Sequence, residues 1–162
     1  MITRLLVALD GSPRSPGVFE VAAELAIRFE ATVHPFRAIF VPPEFPAAAG
    51  GSLHDLLPEH LLKTALGELR NLARPRHGLV VALPIVRVGP PWKCIIETAD
   101  ELEVDVIVIG SHGYRGLDYV LGTTASQVAN RAHRNVLVVH GRSDDSARAT
   151  TPSGSPSSSA GG

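Results

Sequence analysis

The chain has 162 residues, of which 44% are apolar and 19% charged, with a formal net charge of -1. This is a globular composition at single-domain length, so a disordered regulator is excluded, and no basic field exists to hold a nucleic acid or an anionic membrane. Cys94 is the only cysteine, which rules out an intrachain disulfide framework or a thiolate zinc site and leaves a small buried apolar residue as its expected role.

The apolar runs are strand-sized, and Leu5 to Leu9 is too short for a secretory signal, which points to a cytoplasmic protein. Arg4 to Leu9 is nearly continuous apolar, as expected of a parallel strand covered on both faces. Asp10-Gly11-Ser12 is a turn, and Ser15-Pro16 reads as N-cap and first residue of a helix with Val18, Ala22, Leu25, Ala26 and Phe29 on one face. Thr32 to Val41 is a second strand, in which Pro35 implies an edge or an irregular start. Val41 to Gly51 is rich in proline and glycine and reads as a long, flexible connection. Leu53, Leu56, Leu57, Leu61, Ala65, Leu69 and Leu72 form an amphipathic stripe, with the helix starting near Pro58.

Leu79 to Val88 is the third strand, and Gly89-Pro90-Pro91 then breaks the chain and opens a helix with Ile95, Ile96, Ala99 and Leu102 inward. The fourth strand ends as Val106-Ile107-Val108-Ile109-Gly110, with Asp105 at its start. Thr124 to Gln127 fits a capping box for a helix with Ala125, Val128, Ala129 and Ala132 on its apolar face. Asn135 to His140 is the fifth strand, and Ser143 to Gly162 has almost nothing to bury and reads as a disordered tail on a domain of residues 1–142. Strands alternating with helices imply a mostly parallel sheet covered on both faces by right-handed crossovers. Ligands of such sheets sit beyond the carboxyl ends of the strands where strand order reverses, so Asp10 and Gly110 share one crevice if their strands are neighbours.

The stretch GSHGYRGLDYVLGTT, Gly110 to Thr124, carries the chemistry. Gly110 and Gly113 allow positive φ and remove a Cβ that would hold a phosphate away from backbone amides. Gly122-Thr123-Thr124 puts amides and hydroxyls at a helix N-terminus, where the dipole favours an anion. The same spacing equally describes a tight turn and a capped helix. The stretch has neither a Walker lysine nor a GxGxxG fingerprint. His112 is placed to donate to a phosphate or to pack the turn, and Arg115 to reach a terminal phosphate or to solvate the loop. Trp92 either shields the crevice or anchors a helix start, and Arg14, Arg28 and Arg37 read as surface charges. The seven histidines have no metal-binding spacing, and no nucleophile and base form a catalytic set.

VALDGS near the start and VIVIGSHGYRGLDYVLGTTASQVANRAHRNVLVVH at the end resemble the universal stress protein family, from Met1 to about His140. The resemblance implies a flavodoxin-like, Rossmann-like α/β fold, an open five-stranded parallel sheet of order 3-2-1-4-5. One branch of that family binds ATP through GxxG, nine residues and G[ST]. Carried over, Asp10 lies near adenine and ribose, the Ala38 backbone meets the adenine, and Gly110, Gly113, Gly122 and Thr123 hold phosphate, with an added amide from Thr124. Asp10 is also the carboxylate for Mg²⁺ accompanying a triphosphate. Only eight residues, Tyr114 to Leu121, separate Gly113 from Gly122, one fewer than the pattern. The expected function is that of an ATP-binding regulatory module in the stress response. Its alternatives are an interaction module without nucleotide and a slow ATP hydrolase. The resemblance and the exposed edge of Asn135 to His140 both imply a homodimer.

Overall fold

The computed structural model describes residues 1–40, 59–111 and 121–140. Their elements are β1 (Arg4–Ala8), α1 (Ser15–Phe29), β2 (Thr32–Ile39), α2 (Glu59–Leu72), β3 (Val80–Val81), β4 (Ile85–Val88), α3 (Pro91–Glu101), β5 (Val106–Gly110), α4 (Thr123–Arg131) and β6 (Asn135–Val139). The expected connection at 41–51, the start of the second helix with Leu53, Leu56 and Leu57, and the tail from Ser143 lie outside the described residues. Every pairing of these strands is parallel. β1 lies between β2 and β5, β6 forms one edge beside β5, and β3 and β4 share the other edge beside β2. The expected open parallel sheet is therefore present, with its third strand in two pieces.

Pro35 and Pro84 account for that division. In a parallel strand alternate residues aim their backbone groups at opposite neighbours. Ala82 N–H donates to the Val33 carbonyl at 2.8 Å and Gly89 N–H to the Ile39 carbonyl at 2.9 Å, so odd-numbered residues of β2 face β3 and β4. Pro35 lies on the same side without an N–H to offer. The neighbouring strand is interrupted there, between Val81 and Ile85, and Pro84 falls in the gap. Pro35 does not make β2 an edge, as its position had suggested: β2 is interior, with Val7 paired to Pro35 on the β1 side.

Alternation along the strands divides the core. Leu5, Val7, Val33, Val106 and Val108 face α1 and α2, and Leu6, Phe36, Ile107 and Ile109 face α3 and α4. On α1 the expected face buries Val18, Ala22 and Ala26, but Phe19 is in the core while Phe29 is 49% exposed. α2 buries Ala65 and Leu69 and leaves Leu61 at 41% exposure. Ile95 and Ala99 of α3 and Ala125 and Val128 of α4 are buried as expected, whereas Ala129 is exposed. Cys94 is buried, and desolvation pushes its thiol above the ordinary value. Its Sγ lies 3.0 Å from where a Cβ on Gly89 would stand, and Gly89 has φ +146°, so both backbone and contact require glycine there. Trp92 packs on the α3–α4 side of the core with the Arg131 guanidinium 4.7 Å from its ring centre, and so anchors a helix start. No helix among the described residues is long and apolar enough to cross a membrane.

Asp105, which precedes β5, fastens the start of β1. Its Oδ2 accepts from the Thr3 N–H at 2.6 Å, the Thr3 hydroxyl at 3.0 Å and the Arg4 N–H at 3.0 Å. Those hydrogen bonds, led by the Thr3 and Arg4 amides, hold its carboxyl below the usual aspartate value. A lowered folded-state pKa contributes stability above the unfolded value, about 4, that is lost as pH falls through the folded one. Asp105→Asn is therefore expected to melt below the unchanged chain at pH 7, and the gap should close as both are melted at successively lower pH, below about 4.

Candidate nucleotide cleft

β1 pairs with β5 from Leu5 opposite Val106 to Ala8 opposite Ile109. The chain continues from β1 into α1 on one face of the sheet, and from β5 toward α4 on the other. The departing segments leave a cleft of about 300 Å³ beyond the carboxyl ends of the two strands. That volume lies at the lower end of the range for small-molecule sites. Ala8, Phe36, Ala38, Ile95 and Ile109 give it an apolar floor, and Asp10, Ser12, Arg14, Ser111, Thr123 and Thr124 give it a polar rim.

The rim is built first by the turn after β1. Gly11 adopts φ +78°, which glycine tolerates without strain. The Arg37 guanidinium lies where a Gly11 side chain would stand, and it is ion-paired with Glu68. Asp10 Oδ1 accepts from the Ser12 N–H at 3.0 Å and from the Ser15 hydroxyl at 2.8 Å, and Ser15 Oγ in turn accepts from the Gly11 N–H at 3.1 Å. Ser15 is 3% exposed and is the first residue of α1, after Arg14 as N-cap. It was expected to be the cap; its hydroxyl is instead spent on orienting Asp10.

Three helix starts border the cleft, at Ser15, Pro91 and Thr123. Their unspent donors differ. In α1 the Ser15 N–H already donates to the Ser12 carbonyl at 3.0 Å and Pro16 has no N–H. In α3 Pro91 has none, and Lys93 N–H donates to the Pro90 carbonyl at 3.1 Å. In α4 Gly122 is the N-cap and no side chain among the described residues caps the helix, while the first helical bond runs from Ser126 N–H to the Gly122 carbonyl at 2.9 Å. Thr124 is thus inside the helix and does not open a capping box, contrary to its pattern. The amides of Thr123, Thr124 and Ala125 precede the first residue that has a helical acceptor. This start is the anion-ready one.

Among the expected site residues, Asp10, Ala38, Gly110, Thr123 and Thr124 all line the cleft. Gly122 caps α4 behind the two threonines, and His112, Gly113 and Arg115 lie outside the described residues. The expected reason for Gly110 needs correction. Its φ is not positive, and a Cβ on it would stand 3.0 Å from Val18 Cγ2, so its smallness lets α1 settle on β5. Ser12, Ser15, Phe36 and Ser111 also line the cleft without having been singled out. The strand period, which puts Phe36 and Ala38 on one face, could have found Phe36. Ser111 shares a hydrogen bond of 3.0 Å with His140 Nδ1, a contact across 29 residues that sequence spacing does not reveal. Arg14, expected as a surface charge, borders the cleft. Among the described residues no cluster of three or more His, Cys, Asp or Glu side chains could hold a metal.

An open parallel sheet with its cleft at the reversal of strand order defines an α/β protein of the doubly wound type, the class whose ligands sit in that crevice. The universal stress protein family model matches residues 1–140, and the chain belongs to that family. Universal stress protein A homolog 1 of Coxiella burnetii is 35% identical over 140 residues, covering 83% of this chain and 94% of its own. Universal stress protein MJ0531 of Methanocaldococcus jannaschii is 31% identical, covering 84% of this chain and 81% of its own. Among solved structures, hypothetical protein MJ0577, from the same organism, superposes with a TM-score of 0.66 at 25% identity, covering 86% of this chain and 96% of its own. A universal stress protein in complex with cAMP superposes with a TM-score of 0.59 at 24% identity, covering 86% and 98%.

Gly110→Ala is expected to destabilise the fold by about 1–3 kcal/mol through overpacking against Val18. Val18→Ala removes the obstacle, so the double variant should lose less than the sum of the single losses in a denaturant cycle. Additive losses would show that Gly110 is small for another reason.

Proposed function

We propose that the cleft binds an adenine nucleotide, ATP foremost, and that the protein is a nucleotide-responsive regulatory module of the cytoplasm. The observation that carries this reading is the meeting, in one cleft, of an apolar floor with the uncapped start of α4. A flat base suits Phe36 and Ala38, with the Ala38 backbone reading the adenine edge. Asp10, oriented by Ser12 and Ser15, suits the ribose hydroxyls. The amides and hydroxyls of Thr123 and Thr124 suit phosphate oxygens, and His112, Gly113 and Arg115 complete that side. Magnesium would arrive with the triphosphate, with Asp10 as the acid on the rim. Two structures with this fold hold adenine nucleotides, one cAMP and one, from Archaeoglobus fulgidus, dAMP, which supports the class of ligand.

Calorimetry should give a micromolar dissociation constant for ATP, and acid should release an adenine nucleotide from freshly purified protein. Gly122→Val puts a branched Cβ beside the α4 amides and should weaken ATP binding roughly a hundredfold, about 2.7 kcal/mol, in a chain that still folds. A folded, unchanged chain that binds no adenine nucleotide at millimolar concentration removes the reading in favour of an interaction module. Sustained phosphate release from ATP would favour the hydrolase.

The same module is proposed to pair with a second copy through β6. Ser111 N–H donates to the Val139 carbonyl at 2.8 Å, so Val139 faces β5 and, by alternation, Val138 turns its N–H to the free edge. Val138→Pro removes a donor from the edge and none from the β5 ladder. It should convert a dimer to a monomer in light scattering at unchanged ATP affinity; an unchanged chain that is monomeric at high concentration would overturn the pairing.

A further inference from the structure

We infer that Arg14 helps the cleft distinguish nucleotides by their phosphate number, its guanidinium engaging the terminal phosphates of a bound triphosphate. The inference rests on the nucleotide reading above and goes beyond it, since neither the start of α4 nor the apolar floor separates ATP from AMP.

Charge gives the first argument. The described residues lining the cleft include one acid, Asp10, and one cation, Arg14. The dipole and amides at α4 can hold one phosphate group, and a triphosphate brings further negative charge beyond it. Arg14 is the cation among the described lining residues that can meet this charge.

Position gives the second. Val18 N–H donates to the Arg14 carbonyl at 3.2 Å, so Arg14 stands one turn ahead of Val18. Val18 itself is packed over Gly110, at the end of β5. Arg14 therefore lies beyond the sheet, above the point where the glycine stretch departs. Side chains on a helix lean toward its N-terminus, which directs this one off the end of α1 and toward the cleft. Its backbone is fixed, with the Arg14 N–H donating to Ser12 Oγ at 3.3 Å.

Availability gives the third. Arg37, Arg76, Arg87 and Arg134 are each committed to a carboxylate, Arg4 to Glu103 and the Leu102 carbonyl, and Arg131 to Gln127 and Trp92. The Arg14 side chain is exposed and makes no hydrogen bond or ion pair among the described residues. Arg28 and Arg70 are also uncommitted, but neither lines the cleft. A guanidinium offers paired N–H donors matched to two phosphate oxygens, so a lysine in its place supplies charge without the fork.

The test compares ATP, ADP and AMP by calorimetry, with magnesium present, on the unchanged chain, Arg14→Gln and Arg14→Lys. Arg14→Gln should weaken ATP about tenfold or more, equivalent to about 1.4 kcal/mol, weaken AMP less than about twofold, and leave the melting temperature of the unliganded protein unchanged. Arg14→Lys should recover part of the ATP loss. If the unchanged chain binds no nucleotide, both the nucleotide reading and this inference fall. If it binds ATP and Arg14→Gln binds it equally well, or loses ATP and AMP in equal proportion, only the role of Arg14 is overturned.

Discussion

The parallel pairing of β1 with β5 is the constraint from which the rest of the molecule's useful geometry follows. Side by side in register, these strands end together, and the chain leaves them for opposite faces of the sheet. Divergence at that point opens a cleft that no side chain has to carve. The packing on either side serves the same end. Val18 against Gly110 brings α1 down onto β5, and Ala125 and Val128 seat α4 on the other face, so two helix starts border one space. Asp105 binds Thr3 and Arg4 and fixes the opposite end of the same strand pair.

Much of this was legible in the sequence because burial on both faces writes a continuous apolar run, and β1, β5 and β6 are such runs. The alternation of strands and helices gave the class of sheet, and the reversal of strand order located the cleft between Asp10 and Gly110. Misreadings fall where a residue answers to a distant partner. Pro35 looked like an edge residue because nothing local shows that the adjoining strand is interrupted beside it. Ser15 has the form of a cap, yet its hydroxyl is used by Asp10 and Gly11, five and four residues away. Gly110 looked like a residue chosen for positive φ, and its φ is not positive; the space beside it is taken by Val18 from another element. Arg14 is exposed, as a surface charge would be, but that it borders the cleft emerges only once α1 is packed.

The chain belongs to the universal stress protein family, and its cleft lies where doubly wound sheets carry their ligands. Ser111, which lines the cleft, and His140 join the ends of β5 and β6. A ligand lying across Ala38, Asp10 and Thr123 would touch β2, the turn before α1 and the start of α4 together. Occupancy would then be felt by elements on both faces of the sheet.

The interruption beside Pro35 also makes the two edges of the sheet unequal. A sheet with two long, regular edges can add a neighbour at each and grow without limit, whereas pairing through one edge about a two-fold axis closes at two. Here one edge is the unbroken β6, while the other is divided into pieces of two and four residues with Pro84 between them. The missing donor of a single interior proline thereby acts at a distance, leaving the far side of the sheet with a short, divided edge that is a poor template for a further strand.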